Sequence, residues 1–194
     1  MKCRDRAARK SSGRSHLAAL ASEAVDPPPP PPDPSLPKND PVEVAGLGTY
    51  PRHLLANTMA FNVFCHLRND LLAPDGPLPF KLPEPTDDQV ASAIDFMLAG
   101  LPRMQGSALT ATVRRPLVLD LTGPGATTIT ILPATAPDGQ LTVTSGADST
   151  ATRIHSTALD FIAWATTRKP WRDRCHITGD THAATPFLDH LNII

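Results

Sequence analysis

Six consecutive prolines, Pro27 to Pro32, place the strongest constraint on this chain, and Pro34, Pro37 and Pro41 extend it. Proline has a fixed φ and no backbone N–H. A run of prolines can neither continue a helix nor sit inside a sheet ladder, so this one predicts an extended polyproline II spacer. The chain holds 22 prolines, about twice average usage, and they crowd the first half. Residues 1–45 are therefore expected to form a disordered tail. Its start is basic through Lys2, Arg4, Arg6, Arg9, Lys10 and Arg14. An Ala-rich stretch from His16 to Val25 can form a short helix, marginal by itself.

The length, 194 residues, suits one full domain with extra material, or two small domains. The formal net charge of −1 supplies no field for nucleic acid or an anionic membrane, and neither partner is expected. No apolar run reaches the length of a membrane span, and the basic start lacks the apolar core of a secretory signal. Cys3, Cys65 and Cys175 form no paired framework. That points to a reducing, cytoplasmic setting, with Cys65 a small buried hydrophobe rather than a reactive thiol.

The first strong helix is predicted at residues 51–72, with Pro51 in its first turn. Leu54, Leu55, Met59, Phe61, Val63, Phe64, Leu67, Leu71 and Leu72 surround much of its circumference. A helix this apolar needs a partner surface, so it is expected to self-associate or to dock on residues 86–104. Prolines 74, 77 and 79 end it. Thr86-Asp87-Asp88-Gln89 then reads as a capping box. Val90, Ile94, Met97, Leu98 and Leu101 follow at helical spacing and mark a core stripe.

Near residue 110 the apolar period changes to two. Thr112-Val113 and Leu117 to Leu121 read as one strand, Gly123-Pro124-Gly125 as a turn, and Thr128 to Leu132 as a second strand. Pro137-Asp138-Gly139 reads as a hairpin turn, and Gln140 to Thr144 pairs back. Thr150 to His155 is a fourth strand. Ser156 is expected to cap a helix carrying Phe161 and Trp164, with Arg168 and Lys169 in its last turn. Cys175 to Thr178 is a fifth strand. Asp180 caps the final helix, where Pro186 predicts a kink or a late start. Strands gathered between helices make this an α+β chain with a five-strand sheet covered by helices. The expected divisions are a tail at 1–45, a partial helical bundle at 46–105, and an α+β domain at 106–194.

Asn62 and His66 are four residues apart, so both leave one face of the first helix. A carboxylate at the first position would complete a two-ligand metal clip. Asn62 offers only a neutral carbonyl oxygen, which suits a hard ion weakly and zinc poorly.

Three stretches carry a resemblance to a known family. The most specific is Asp160-Phe161-Ile162-Ala163-Trp164-Ala165-Thr166, then Arg168-Lys169-Pro170-Trp171-Arg172, Thr178-Gly179-Asp180 and Leu191-Asn192-Ile193-Ile194. The second is Leu119-Asp120-Leu121-Thr122-Gly123-Pro124-Gly125, and the third is the helix with His66. In these the chain resembles the mycothiol-dependent maleylpyruvate isomerase-like family, over residues 50–194 and most strongly from about 86. Members of that family join a DinB-like metal-binding helical bundle to a C-terminal domain of sterol-carrier-like fold. The resemblance implies a zinc-like divalent metal held by an early His and a Glu-x-x-x-His pair, with mycothiol as thiol cofactor in an isomerase or S-transferase reaction. A metal held that way keeps an open position that acidifies a bound thiol or water.

Carried onto this chain, His66 matches the second His and Asn62 stands at the Glu position. The one His available for the early ligand is His16, beyond the proline run. The resemblance thus implies a divergent member with a degenerate metal site, no tightly bound cofactor, and lost or impaired catalysis. Two alternatives are an active metal enzyme using His66, and a non-catalytic binding or interaction module. Elsewhere, Gly123-Pro124-Gly125 opens no helix and reads as a tight turn rather than a phosphate loop. His155, His176, His182 and His190 lack metal spacing, and the Ser, His and Asp residues are too scattered to nominate a triad. Arg168, Lys169, Arg172 and Arg174 with Trp171 form a basic-aromatic loop.

Overall fold

The structure is a computed structural model that describes residues 40–44, 48–103, 106–136, 139–149 and 151–193. The proline run, the Ala-rich stretch and His16 lie outside these residues. So does the rest of the expected tail, apart from its last few positions. Those positions form β1, Pro41–Val44, which pairs antiparallel with β2, Gly48–Pro51. The ladder tolerates its prolines because Pro41 and Pro51 face each other at its end, where a missing N–H costs no interior bond.

Helix α1, Arg52–Cys65, starts directly from β2 with Pro51 as its N-cap. The chain continues through a π-helical segment, His66–Leu71, before the proline-rich link. Only Leu54, Phe61 and Cys65 are buried on α1. They lie seven and four residues apart, one stripe of a helix. This stripe meets α2, Asp87–Gly100, where the Phe61 and Phe96 rings lie 5.2 Å apart. The docking on residues 86–104 is therefore present. Burial around most of the circumference is not, since Met59 is 64% and Val63 52% exposed.

Thr86 and Gln89 form the expected capping box at α2, with the Thr86 N–H donating to Gln89 Oε1 at 3.1 Å. Val90, Ile94, Met97 and Leu101 are all essentially fully buried. Each such side chain contributes roughly 1.5–3 kcal/mol over its exposed state. They share one core with Leu119, Ile154 and Phe161 of the C-terminal half. The expected division at 105/106 thus crosses a continuous hydrophobic interior. The described residues belong to one packed unit.

The five-strand sheet has the order β5-β4-β3-β6-β7. Its strands are β3 (Leu117–Thr122), β4 (Thr127–Leu132), β5 (Thr142–Ser145), β6 (Thr152–Thr157) and β7 (His176–Thr178). β3 runs parallel to β6 and every other pairing is antiparallel. The Gly123-Pro124-Gly125 turn joins β3 to β4. Gly123 and Gly125 both have positive φ, and a Cβ on Gly125 would come within 2.7 Å of Val90 Cγ1. The Gly125 N–H also donates to Asp87 Oδ1 at 2.8 Å, so this turn docks on the start of α2. Residues 137 and 138 of the expected hairpin turn lie outside the described residues. β5 does pair back on β4.

Three local expectations are corrected. Residues Ser107–Thr112 form a short helix, α3, and not the start of a strand. It packs on the last helix and buries Leu109, so tertiary burial overrides the β-leaning of Thr112-Val113. The cap of α4, Ala158–Ala165, is Thr157, whose hydroxyl accepts from the Asp160 N–H at 3.0 Å. Ser156 is instead buried at the end of β6, where its Oγ accepts from Trp164 Nε1 at 3.1 Å and donates to the Arg174 carbonyl at 2.9 Å. Arg168 and Lys169 lie past the end of α4 rather than in its last turn. The final helix, α5, spans Thr181–His190 with Asp180 as its cap. It starts on time and contains Pro186. Phe187, Leu188 and Ile193 close the core beneath it.

Candidate functional site

His66 stands where α1 passes into the π-helical segment. Its Nδ1 donates to Asp70 Oδ2 at 2.8 Å. The carboxylate accepts only, so the ring proton is on Nδ1. Arg168, 98 residues later, forks onto the same carboxylate, with Nε at 2.7 Å from Oδ1 and Nη2 at 2.9 Å from Oδ2. A planar guanidinium matches a carboxylate in this two-point fashion, and the pair fixes both groups. Lys169 reaches Asp75 at 2.5 Å. The two basic residues after α4 therefore clamp the C-terminal half onto the π-helical segment and the turn that follows it.

The electrostatics follow from these contacts. Hydrogen bonding from Arg168 holds the Asp70 carboxyl below its ordinary range, with His66 adding to the effect. The same bond raises the Arg168 guanidinium further. Burial pushes the neighbouring Cys65 thiol up to about 11, so it is a packing group and not a nucleophile.

This donor set does not fit a zinc-like ion. Asn62 is an exposed neutral amide, and both oxygens of the nearest carboxylate are committed to Arg168 and His66. Among the described residues, no three His, Cys, Asp or Glu side chains gather as a cation-binding group. His16 is outside them.

Beside this cluster runs a groove of about 550 Å³ between α1 and α2, walled by Val63, Phe64, Leu67, Leu82 and Pro83. Arg68 lies over the Phe64 ring, 5.0 Å from its centroid, and donates to the Pro83 carbonyl. The basic-aromatic loop is neutralised by acidic partners. Arg172 stacks on Trp171 at 4.4 Å and pairs with Asp189 at 3.0 Å, while Arg174 pairs with Asp160.

A second polar group escaped the sequence reading. Asp120 of β3 sits between Thr128 of β4 and His155 of β6 in sheet register. The Thr128 hydroxyl donates to Asp120 Oδ1 at 2.8 Å, and His155 Nδ1 lies 3.1 Å from Asp120 Oδ2. His155 Nε2 lies 3.1 Å from Thr178 Oγ1 on β7. Strand alternation told which face each residue occupies. It could not tell that β3 and β6 are neighbours, and that adjacency assembles the row.

No protein-family model matches this chain, and no curated protein matches it either.

Proposed function

We propose that this protein is a divergent relative of the mycothiol-dependent maleylpyruvate isomerase-like family in which the metal site is degenerate and catalysis is lost or impaired. The observation that carries this reading is the Arg168 fork on Asp70. It spends the carboxylate beside His66 on an ion pair, while Asn62 takes the place of the carboxylate ligand. The site then serves as a latch between the end of α1 and the segment after α4. The reading places the protein in a reducing, cytoplasmic compartment, supported by the free thiols of Cys65 and Cys175. No described helix is long and apolar enough to cross a membrane. Self-association through the exposed Met59 and Val63 face of α1 belongs to the same proposal, and sedimentation velocity tests it.

One observation favours the rival reading of an active metal enzyme. A carboxylate that fixes the ring proton of a His on Nδ1 is a common support for metal ligation through Nε2, and Asp70 does this for His66. Zinc titration of the wild type, Asn62→Glu and His66→Ala separates the two. Affinity gained only in Asn62→Glu supports the degenerate site. Sub-micromolar binding by the wild type that His66→Ala abolishes establishes the rival.

A further inference from the structure

The sheet has two unlike faces. Leu117, Leu119 and Leu121 of β3 point into the core, so Asp120 points to the opposite face. There it joins His155 and Thr178 in one hydrogen-bonded line across β3, β6 and β7. The chemistry of the line is directional. The Asp120 carboxylate can only accept, so it holds the imidazole proton on Nδ1. Nε2 then presents its lone pair, and the Thr178 hydroxyl donates to it across 3.1 Å. Thr128 anchors the other carboxylate oxygen.

From this geometry we propose an acyl-transfer site with Thr178 as nucleophile, His155 as general base and Asp120 as positioning residue. The order hydroxyl, imidazole, carboxylate is that of nucleophiles activated by an adjacent, oriented base. A purely structural bond chain has no need of an accessible hydroxyl. Thr178 is exposed on the edge strand β7. His155 opens onto a groove of about 430 Å³ that His176 and Arg172 also line. That groove adjoins the base alone, since Thr178 is not among its walls.

The step balances without metal or redox partner. Thr178 Oγ forms a bond to the ester carbonyl carbon and passes its proton to His155 Nε2. The tetrahedral adduct collapses, the ester C–O bond breaks, and the Nε2 proton leaves with the alcohol. Water then attacks the acyl-threonine, gives a proton to Nε2, and releases the carboxylic acid as Thr178 recovers its hydrogen. The net change is ester plus water to acid plus alcohol. This proposal is independent of the reading of the His66 region.

The test is hydrolysis of p-nitrophenyl acetate by the full chain, with acetylation mapped by mass spectrometry. Thr178→Val keeps the shape and β-branching while removing the hydroxyl. It and His155→Ala are each expected to lose about 100-fold in kcat/KM. Thr178→Ser is expected to restore turnover. Asp120→Asn is expected to lower kcat with little change in KM, a split that loss of a structural bond would not give. His182→Ala, on α5 and outside the line, is expected to match the wild type. An acetyl group on Thr178 of the wild type that is missing in His155→Ala supports the proposal. Absence of turnover in the wild type overturns it, as do rates unchanged by Thr178→Val and His155→Ala or acetylation confined to other residues.

Discussion

The His66 cluster and the Asp120 row are both built from one imidazole, one carboxylate and a further partner, yet they are assembled in opposite ways. In the first, imidazole and carboxylate are four residues apart on one helical stretch and the third member arrives from 98 residues away. In the second, the imidazole stands 35 residues from its carboxylate and 23 from its hydroxyl. The helical pair is held by its own backbone, and a distant arginine closes it. The sheet row exists only while three strands keep register. The first centre resists local change and responds to the loss of Arg168. The second responds to anything that loosens the core beneath the sheet.

That core supplies the largest expected effect. Trp164 is 3% exposed, meets Phe161 edge-on at 5.1 Å and donates to Ser156 at the end of β6. Trp164→Ala is expected to cost about 3–5 kcal/mol in chemical denaturation. Trp171→Ala, at a partly buried residue that begins a single 3-10 turn, is expected to cost well under half of that. Equal losses would break the assignment of Trp164 to the support beneath the sheet.

Next in size is the latch. Arg168→Ala removes the fork on Asp70, and a partly exposed pair of this kind contributes about 1 kcal/mol or less. The Asp70 carboxyl is held low in the folded state. Its contribution is therefore present above the ordinary carboxylate range and disappears as pH falls through the lowered value. The wild type is expected to exceed Arg168→Ala in stability at neutral pH, and the two curves to converge in acid. A gap independent of pH would show that packing, not the ion pair, joins the two regions.

A smaller effect is expected on the outer face of α1. Met59→Ala and Val63→Ala remove exposed side chains and should change stability by no more than about 0.5 kcal/mol. Ile94→Ala on α2, fully buried, is expected to cost about 2–5 kcal/mol. The small costs on α1 are those of the monomer; the self-association proposed for this face is expected to weaken in both α1 variants, and sedimentation unchanged by them would break that proposal.

The smallest expected signal is thiol reactivity. Burial raises Cys65 to about 11 and Cys175 to about 12. At pH 8 the folded protein would hold about one part in a thousand of Cys65 as thiolate, and less of Cys175. Alkylation in native buffer should be slow at both and become fast on unfolding. Rapid native labelling of Cys65 would mean that the end of α1 opens.

Much of the fold was legible in particular residues. The Thr86–Gln89 box, the stripe Val90, Ile94, Met97 and Leu101, and the Asp180 cap are local signals, and each stands where its spacing placed it. The alternation in Leu117–Leu121 and Thr128–Leu132 marked two strands for the same reason. The site was legible only in part. His66 was visible as a helical residue with a neighbour four positions away. Its attachment to Arg168 was not, because nothing in Thr166 to Trp171 names a partner so far back. Ser156 looked like a cap because caps are read one element at a time, and its burial under Trp164 depends on a second element.

The sequence by itself determined the α2 stripe, the Thr86 and Asp180 caps, the strands of the five-strand sheet and the α+β class, since these follow from dihedral preferences and from the period of apolar side chains. Tertiary structure alone decided that β3 lies parallel to β6, which stripe of α1 meets α2, and which carboxylates receive Arg168 and His155. Those choices depend on how several amphipathic surfaces fill one interior together. No short stretch of chain carries the energy of that joint packing, so no short stretch reveals it.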